Sequence, residues 1–97
     1  MQINVVGRNI EVTPTLKSFT IEKLTALEKR DHQISHVTVT LHIENLTQIA
    51  EATLHLHGTD LHATAEADDM YQSIEILATK LLTQLTKHKE KIIESHR

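Results

Sequence analysis

Lys80, Lys87 and Lys91 recur at intervals of seven and four residues, a spacing that lines them along one stripe of a helix together with Gln84. Ammonium groups held in a row in water neutralise the phosphates of a polyanion. The rest of the charge strengthens this reading. No lysine or arginine occurs between Arg30 and Lys80, while eight of the thirteen acidic residues (Asp31, Glu44, Glu51, Asp60, Glu66, Asp68, Asp69 and Glu75) fall in that interval. Nine of the ten basic residues lie in two segments, Lys17, Lys23, Lys29 and Arg30 in one and Lys80, Lys87, Lys89, Lys91 and Arg97 in the other; Arg8 stands apart. Lys89 falls on a different flank of its helix, nearer Leu82 and Ile93. If both segments pack on the same side of a sheet, a chain of net charge −3 still presents one basic face, the footprint of a nucleic-acid partner. Lysines near a helix C-terminus also stabilise the helix dipole. That explains single residues but not the empty interval.

Histidine is the second group, with eight in 97 residues. His42, His55, His57 and His62 are expected on the polar face of a sheet, where clustered imidazoles could bind a transition metal or gain charge together at about pH 6. Residues two apart on a strand, such as His55 and His57, sit about 6 to 7 Å apart and form no preset chelate. A wet face tolerant of threonine and histidine accounts for them more simply, and His88 reads as a packed boundary residue. Catalysis has little support. The only glycines are Gly7 and Gly58, so no phosphate-cradling loop can form, and no serine-centred nucleophile motif is present. No enzyme activity, cofactor or metal is expected. The absence of cysteine removes disulfides and thiolate chemistry and suits a reducing, cytoplasmic setting. No membrane segment or signal peptide is apparent. With only Phe19 and Tyr71 as aromatics, recognition by stacking bases on a broad platform is disfavoured, leaving backbone and shape.

The elements that must position these groups follow from periodicity. Gln2 to Val6 read as a strand closed by Gly7, with Ile10 and Val12 continuing it after a bend. Thr13-Pro14 opens a helix whose buried stripe is Leu16, Thr20, Leu24 and Leu27 with Phe19 beside it, ending near Arg30 or Asp31. Val37, Val39, Leu41 and Ile43 alternate with Thr38, Thr40, His42 and Glu44 in a second strand. A turn over Asn45 to Gln48 leads to Ala50, Ala52, Leu54 and Leu56 in a third, and Gly58-Thr59-Asp60 to Leu61, Ala63 and Ala65 in a fourth. The small residues of the last strand would let a helix approach closely. Asp68-Asp69 cap a final helix striped by Met70, Ile74, Leu77, Leu81, Leu85, His88 and Ile92. The expected architecture is α+β, of order β-α-β-β-β-α, in one domain spanning 1–97. Its four-stranded sheet carries both helices on one face.

The block Leu61-His62-Ala63-Thr64-Ala65-Glu66-Ala67-Asp68-Asp69-Met70-Tyr71, then Ile74 and Lys80-Leu81-Leu82-Thr83-Gln84-Leu85-Thr86-Lys87-His88-Lys89, resembles the short form of the ribosome hibernation-promoting factors. The related ribosome-associated translation inhibitor is similar too. Ile3, Gly7, Thr13, Leu16, Lys23, Leu24 and Leu27 fit the family pattern, so the resemblance spans essentially the whole chain. It implies the same β-α-β-β-β-α fold and a reversible, non-catalytic inhibitor of translation during stress or stationary phase. Such a protein binds the small ribosomal subunit, and whole ribosomes, in the messenger and tRNA channel, with its basic helical surface on ribosomal RNA. Lys23, Lys80, Lys87 and Lys89 occupy basic positions of that pattern; Arg8, Lys29, Arg30 and Lys91 join them from the charge argument alone. Thr83 stands where relatives often carry arginine, which puts one phosphate contact in doubt. The chain ends without the C-terminal dimerisation domain of the long form, so pairing of ribosomes is expected to need another factor such as ribosome modulation factor. Off the ribosome a monomer is expected.

Three alternatives remain at this level. A double-stranded RNA-binding domain has an α-β-β-β-α order contained in this one, but it places basic residues at the start of its last helix, where this chain has Asp68-Asp69. A metal- or pH-responsive protein would use the histidine face. A structural protein would dimerise through Ile76, Leu82 and Ile93, the apolar positions left off the core stripe.

Overall fold

Thr13 and Asp69 set where the two helices begin. The Thr13 hydroxyl accepts from the Leu16 amide at 3.2 Å with Pro14 in the first turn, and the Asp69 carboxylate accepts from the Tyr71 amide at 3.3 Å, so each satisfies a donor that the first turn leaves free. The computed structural model describes residues 1–95, with side chains described through residue 90. The side chains of Lys91, Ile92 and Ile93, and Arg97 altogether, lie outside the described residues. The elements are β1 (Gln2–Gly7), α1 (Pro14–Thr25) with a 3-10 continuation over Ala26–Lys29, β2 (His36–Glu44), β3 (Thr47–Leu56), β4 (Thr59–Ala67) and α2 (Met70–Ser95).

The sheet order is β1-β2-β3-β4, with β1 parallel to β2 and the other pairs antiparallel. The β-α-β-β-β-α architecture read from the sequence is the observed one. Leu16, Leu24 and Leu27 from the first helical segment and Ile74, Leu77, Leu81 and Leu85 from α2 close over Val37, Val39, Leu41, Ala52, Leu54 and Ala65 in one core. Thr20 enters that core without an orphaned hydroxyl, because its Oγ1 donates to the Leu16 carbonyl at 2.8 Å. Thr25 also donates to the Ile21 carbonyl, at 2.6 Å, and the helix tightens to 3-10 immediately afterwards, as helix C-termini often do. Ser73, fully buried, donates to the Gln48 carbonyl at 2.7 Å and pins the first turns of α2 to β3.

Both helices run in the same direction. Phe19 meets Tyr71, Lys23 meets Glu75 and Lys89 reaches the Arg30 carbonyl, so contacts advance together along the two chains. Their N-termini therefore share one end of the molecule and their C-termini the other.

Several local expectations are corrected. Ile10 and Val12 do not extend β1: Arg8 makes the last sheet bond, its amide donating to the Leu41 carbonyl, and Asn9 at φ 60° turns the chain so that both pack half-buried on the core. That path runs so close to Gly7 that a Cβ there would meet the Ile10 carbonyl and lie 2.9 Å from Val12. The β2–β3 turn is only Asn45-Leu46, with Asn45 at φ 56° and β3 starting at Thr47. Ile43 is 45% exposed instead of in the core. β1 ends opposite Leu41, and the β2–β3 ribbon projects past it, leaving Ile43 paired with Gln48 of β3 but with no strand on its other side.

The histidines are also redistributed. His57 lies in the turn with Gly58 rather than on the sheet, and His36 takes its place on the outer face, stacked on His55 with ring centroids 3.9 Å apart. His42, expected to be wet, is buried at 3% exposure opposite Ile49, which is itself buried on that face. The His42 Nε2 lies 3.3 Å from Glu51 and its Nδ1 3.9 Å from Glu44. No group of three or more metal-ligating side chains converges among the described residues, and no helix among them is long and apolar enough to cross a membrane.

Candidate nucleic-acid interface

The sheet decides what each face carries. On the outer face the cross-strand rows are His36–His55–Asp60, Thr38–Thr53–His62, Thr40–Glu51–Thr64 and His42–Ile49–Glu66, with no lysine or arginine among them. His55 Nδ1 lies 2.9 Å from Asp60, and His62 Nδ1 2.9 Å from the Thr53 hydroxyl. The three carboxylates in these rows make this side acidic, and every described lysine lies on the helical side.

Parallel helices concentrate those cations further. Lys29 and Arg30, both exposed, follow α1, and with Ala26, Leu82 and Thr86 they line a hollow of about 440 Å³ against α2. Lys89 crosses above it, its Nζ donating to the Arg30 carbonyl at 2.7 Å. Lys87 is exposed one turn from Gln84, on the flank of α2 turned to the β4 edge. All four cations lie toward the end where the helices finish: Lys29, Arg30 and Lys89 at the α1–α2 seam, and Lys87 on the opposite flank of α2, toward the β4 edge. Lys29 lies in the last turn of the first helical segment and also favours its dipole, whereas the last turn of α2 carries no basic residue.

The remaining candidates are dispersed. Lys80 sits along the β4 edge, its Nζ donating to the Thr64 carbonyl at 2.7 Å, and Gln84 donates to the His62 carbonyl at 2.6 Å. These side chains occupy edge-strand acceptors that no neighbouring strand satisfies, a recognised way to blunt an open edge. Lys23 lies half-way along the seam between the helices, 3.9 Å from Glu75 and 5.4 Å from the Phe19 ring centre. Arg8 is apart from all of these: it follows β1 at the end of the sheet where β2 finishes, about 20 Å of strand away from the C-terminal cluster. The Lys91 side chain lies outside the described residues. Thr83 spends its hydroxyl on the Thr79 carbonyl at 3.0 Å and supplies no cation. Leu82 and Ile76, expected as a dimer surface, are 42% and 38% exposed, and Leu82 forms a wall of the hollow beside Arg30.

A family model described as Sigma 54 modulation protein / S30EA ribosomal protein matches residues 3–93. The chain belongs to that family. It is 46% identical over 92 residues to a ribosome hibernation promoting factor of Klebsiella oxytoca, covering 95% of this chain and 97% of the relative. It is 45% identical over the same length to the factor of that name from Escherichia coli K12, with the same coverage. Among solved structures, a ribosomal subunit interface protein from Coxiella burnetii superposes with a TM-score of 0.88 at 36% identity, over 93% of this chain and 99% of that one. The N-terminal domain of Thermus thermophilus Protein Y gives 0.84 at 26%, over 91% and 99%. Membership of the S30EA family accounts for the block from Leu61 to Lys89 that carried the resemblance, and the fold it implied is the fold observed.

The sequence missed two things. The hydrogen bonds of Lys80 and Gln84 to β4 were legible only as a pair four apart beside the apolar positions Leu81 and Leu85. The two aromatics were discounted by number, yet Phe19 and Tyr71 meet, ring centroids 4.9 Å apart and planes at 74°. Each stands one residue from a buried position, Thr20 and Met70, which is the only sequence hint that they share a seam.

Proposed function

We propose that this chain is a ribosome hibernation factor that binds the small ribosomal subunit in the channel used by messenger and tRNA and reversibly blocks translation. It acts as a non-catalytic, cytoplasmic protein, monomeric away from the ribosome and active under stress or in stationary phase. The observation that carries the reading is the polarity of the molecule: cations gather toward the end where the two helices finish, while the outer sheet face is acidic. Only one side of such a body is attracted to ribosomal RNA, and that side is the helical one. Near-complete likeness to relatives named ribosome hibernation promoting factor supports the assignment, as does the likeness to a ribosomal subunit interface protein. Lys29, Arg30, Lys87 and Lys89 form the centre of the contact, Lys91 joins them on its sequence spacing alone, and Lys23 and Lys80 lie at its margins. Arg8 contributes least. Where ribosomes pair, a further factor such as ribosome modulation factor acts beside it.

The test is co-sedimentation with small subunits and whole ribosomes across a salt series, with messenger and tRNA as competitors. With about five phosphates neutralised, raising salt from 50 to 200 mM should weaken binding by about 100- to 500-fold, and messenger with tRNA should displace the protein. Salt-insensitive binding, or binding indifferent to both competitors, refutes the reading.

A further inference from the structure

The only two aromatic side chains of this protein lie together at the end of the helical layer remote from the basic cluster. Phe19 and Tyr71 form an edge-to-face pair across the α1–α2 seam. In either orientation of such a pair, at least one face of Tyr71 is left uncovered by Phe19, and Tyr71 is 37% exposed. With Pro14, Thr15, Ser18 and Glu22 the two rings line an open cleft of about 430 Å³. Lys23 stands over the Phe19 ring.

Core packing alone does not call for this arrangement. Phe19 packs half-buried against the aliphatic core, but Tyr71 does not join it, and neither aromatic is among its fully buried side chains. The surroundings also select an occupant. Asp68, Asp69, Glu22 and Glu75 make this end of the helices a poor place for a phosphate. A carboxylate beside an open aromatic face suits a nucleobase instead, which stacks on the ring and offers an exocyclic amine to the acid.

We propose that the Phe19–Tyr71 cleft holds one unpaired RNA base that carries an exocyclic amine, stacked on Tyr71 with its amino edge toward Glu22. This rests on the ribosomal reading above and adds a second, salt-independent contact to it. Tyr71 lies sixteen residues before Lys87, about 24 Å along a helix, so the base belongs to a different stretch of RNA from the phosphates at the basic end.

The chain has one tyrosine and no tryptophan, so its intrinsic emission reports on Tyr71 alone. Hexacytidylate is expected to quench that emission at lower concentration than hexauridylate. Tyr71→Leu, which keeps apolar packing against Phe19, is expected to lower small-subunit affinity roughly five- to 150-fold, the range for one stacked base. The slope of affinity against salt should not change, whereas loss of a phosphate-binding lysine reduces it. Tyr71→Phe should retain wild-type affinity. Folding is checked by thermal melting of both variants. Wild-type affinity in Tyr71→Leu overturns the inference while leaving the ribosomal reading intact. Reduced affinity without quenching by either oligonucleotide also overturns it, giving the cleft to a protein. If the wild type fails to bind subunits the ribosomal reading falls, and quenching alone decides the cleft.

Discussion

Changing Lys29, Arg30 and Lys87 together to glutamate removes three cations from the end of the molecule where the two helices finish. All three are exposed, and none makes a side-chain ion pair or hydrogen bond among the described residues, so their charge is free to meet a partner. Each phosphate contact contributes about 0.9 to the slope of log affinity against log salt for a duplex and about 0.7 for a single strand. Three lost contacts should therefore lower the slope by about 2 to 3, and the affinity at 0.1 M salt by about 100- to 500-fold. Arg8→Glu is the matched control. It changes charge by the same amount per residue, but about 20 Å of strand away, and should leave the slope unchanged. The assay is fluorescence anisotropy of labelled protein titrated with small subunits between 50 and 400 mM salt, with circular dichroism to confirm the fold. An Arg8→Glu variant that loses as much slope per charge as the triple variant would refute the placement of the interface. So would a folded triple variant with wild-type slope.

Other consequences of the fold are open to simpler measurements. Replacing Lys80 and Gln84 with alanine frees the Thr64 and His62 carbonyls on the β4 edge; stability should fall by about 1 kcal/mol, and sedimentation velocity should show new concentration-dependent self-association. Ser73→Ala leaves the part-buried Gln48 carbonyl without its 2.7 Å donor, a loss of about 1 kcal/mol readable as a melting temperature lower by about 4 °C or more. Gly7→Ala drives a methyl group against the Ile10 carbonyl and Val12, and urea titration should show about 1 to 3 kcal/mol of destabilisation. Gly58→Ala has open space around it but a φ of 82°, so its cost, about 1 kcal/mol, comes from backbone conformation alone.

Particular residues show where reading the chain succeeds and where it stops. Alternation along Val37, Val39 and Leu41 and along Ala50, Ala52 and Leu54 placed the core face correctly, because strand periodicity is a local property. It failed at Ile43, where the decisive fact is that β1 ends two residues short of it in register. It failed again at His42, which a neighbouring apolar residue, Ile49, helps to bury on the outer face. The lysine spacing put Lys80 on the flank with Gln84 and Lys89 on another, as the structure has them. What each lysine touches was not legible, since Thr64, Arg30 and Glu75 are sixteen, fifty-nine and fifty-two residues from their partners.

The sequence by itself determined the order of elements, the apolar stripes, the capped helix starts and the segregation of charge, all of which depend on neighbours within a few residues. Tertiary structure alone decided that the helices run in the same direction. That direction places four cations toward their shared C-terminal end and brings Phe19 to Tyr71 at the other. Direction and proximity of this kind arise from sheet pairing across long separations, where the register of β1 on β2 and of β4 on β3 fixes where each helix begins and which way it returns.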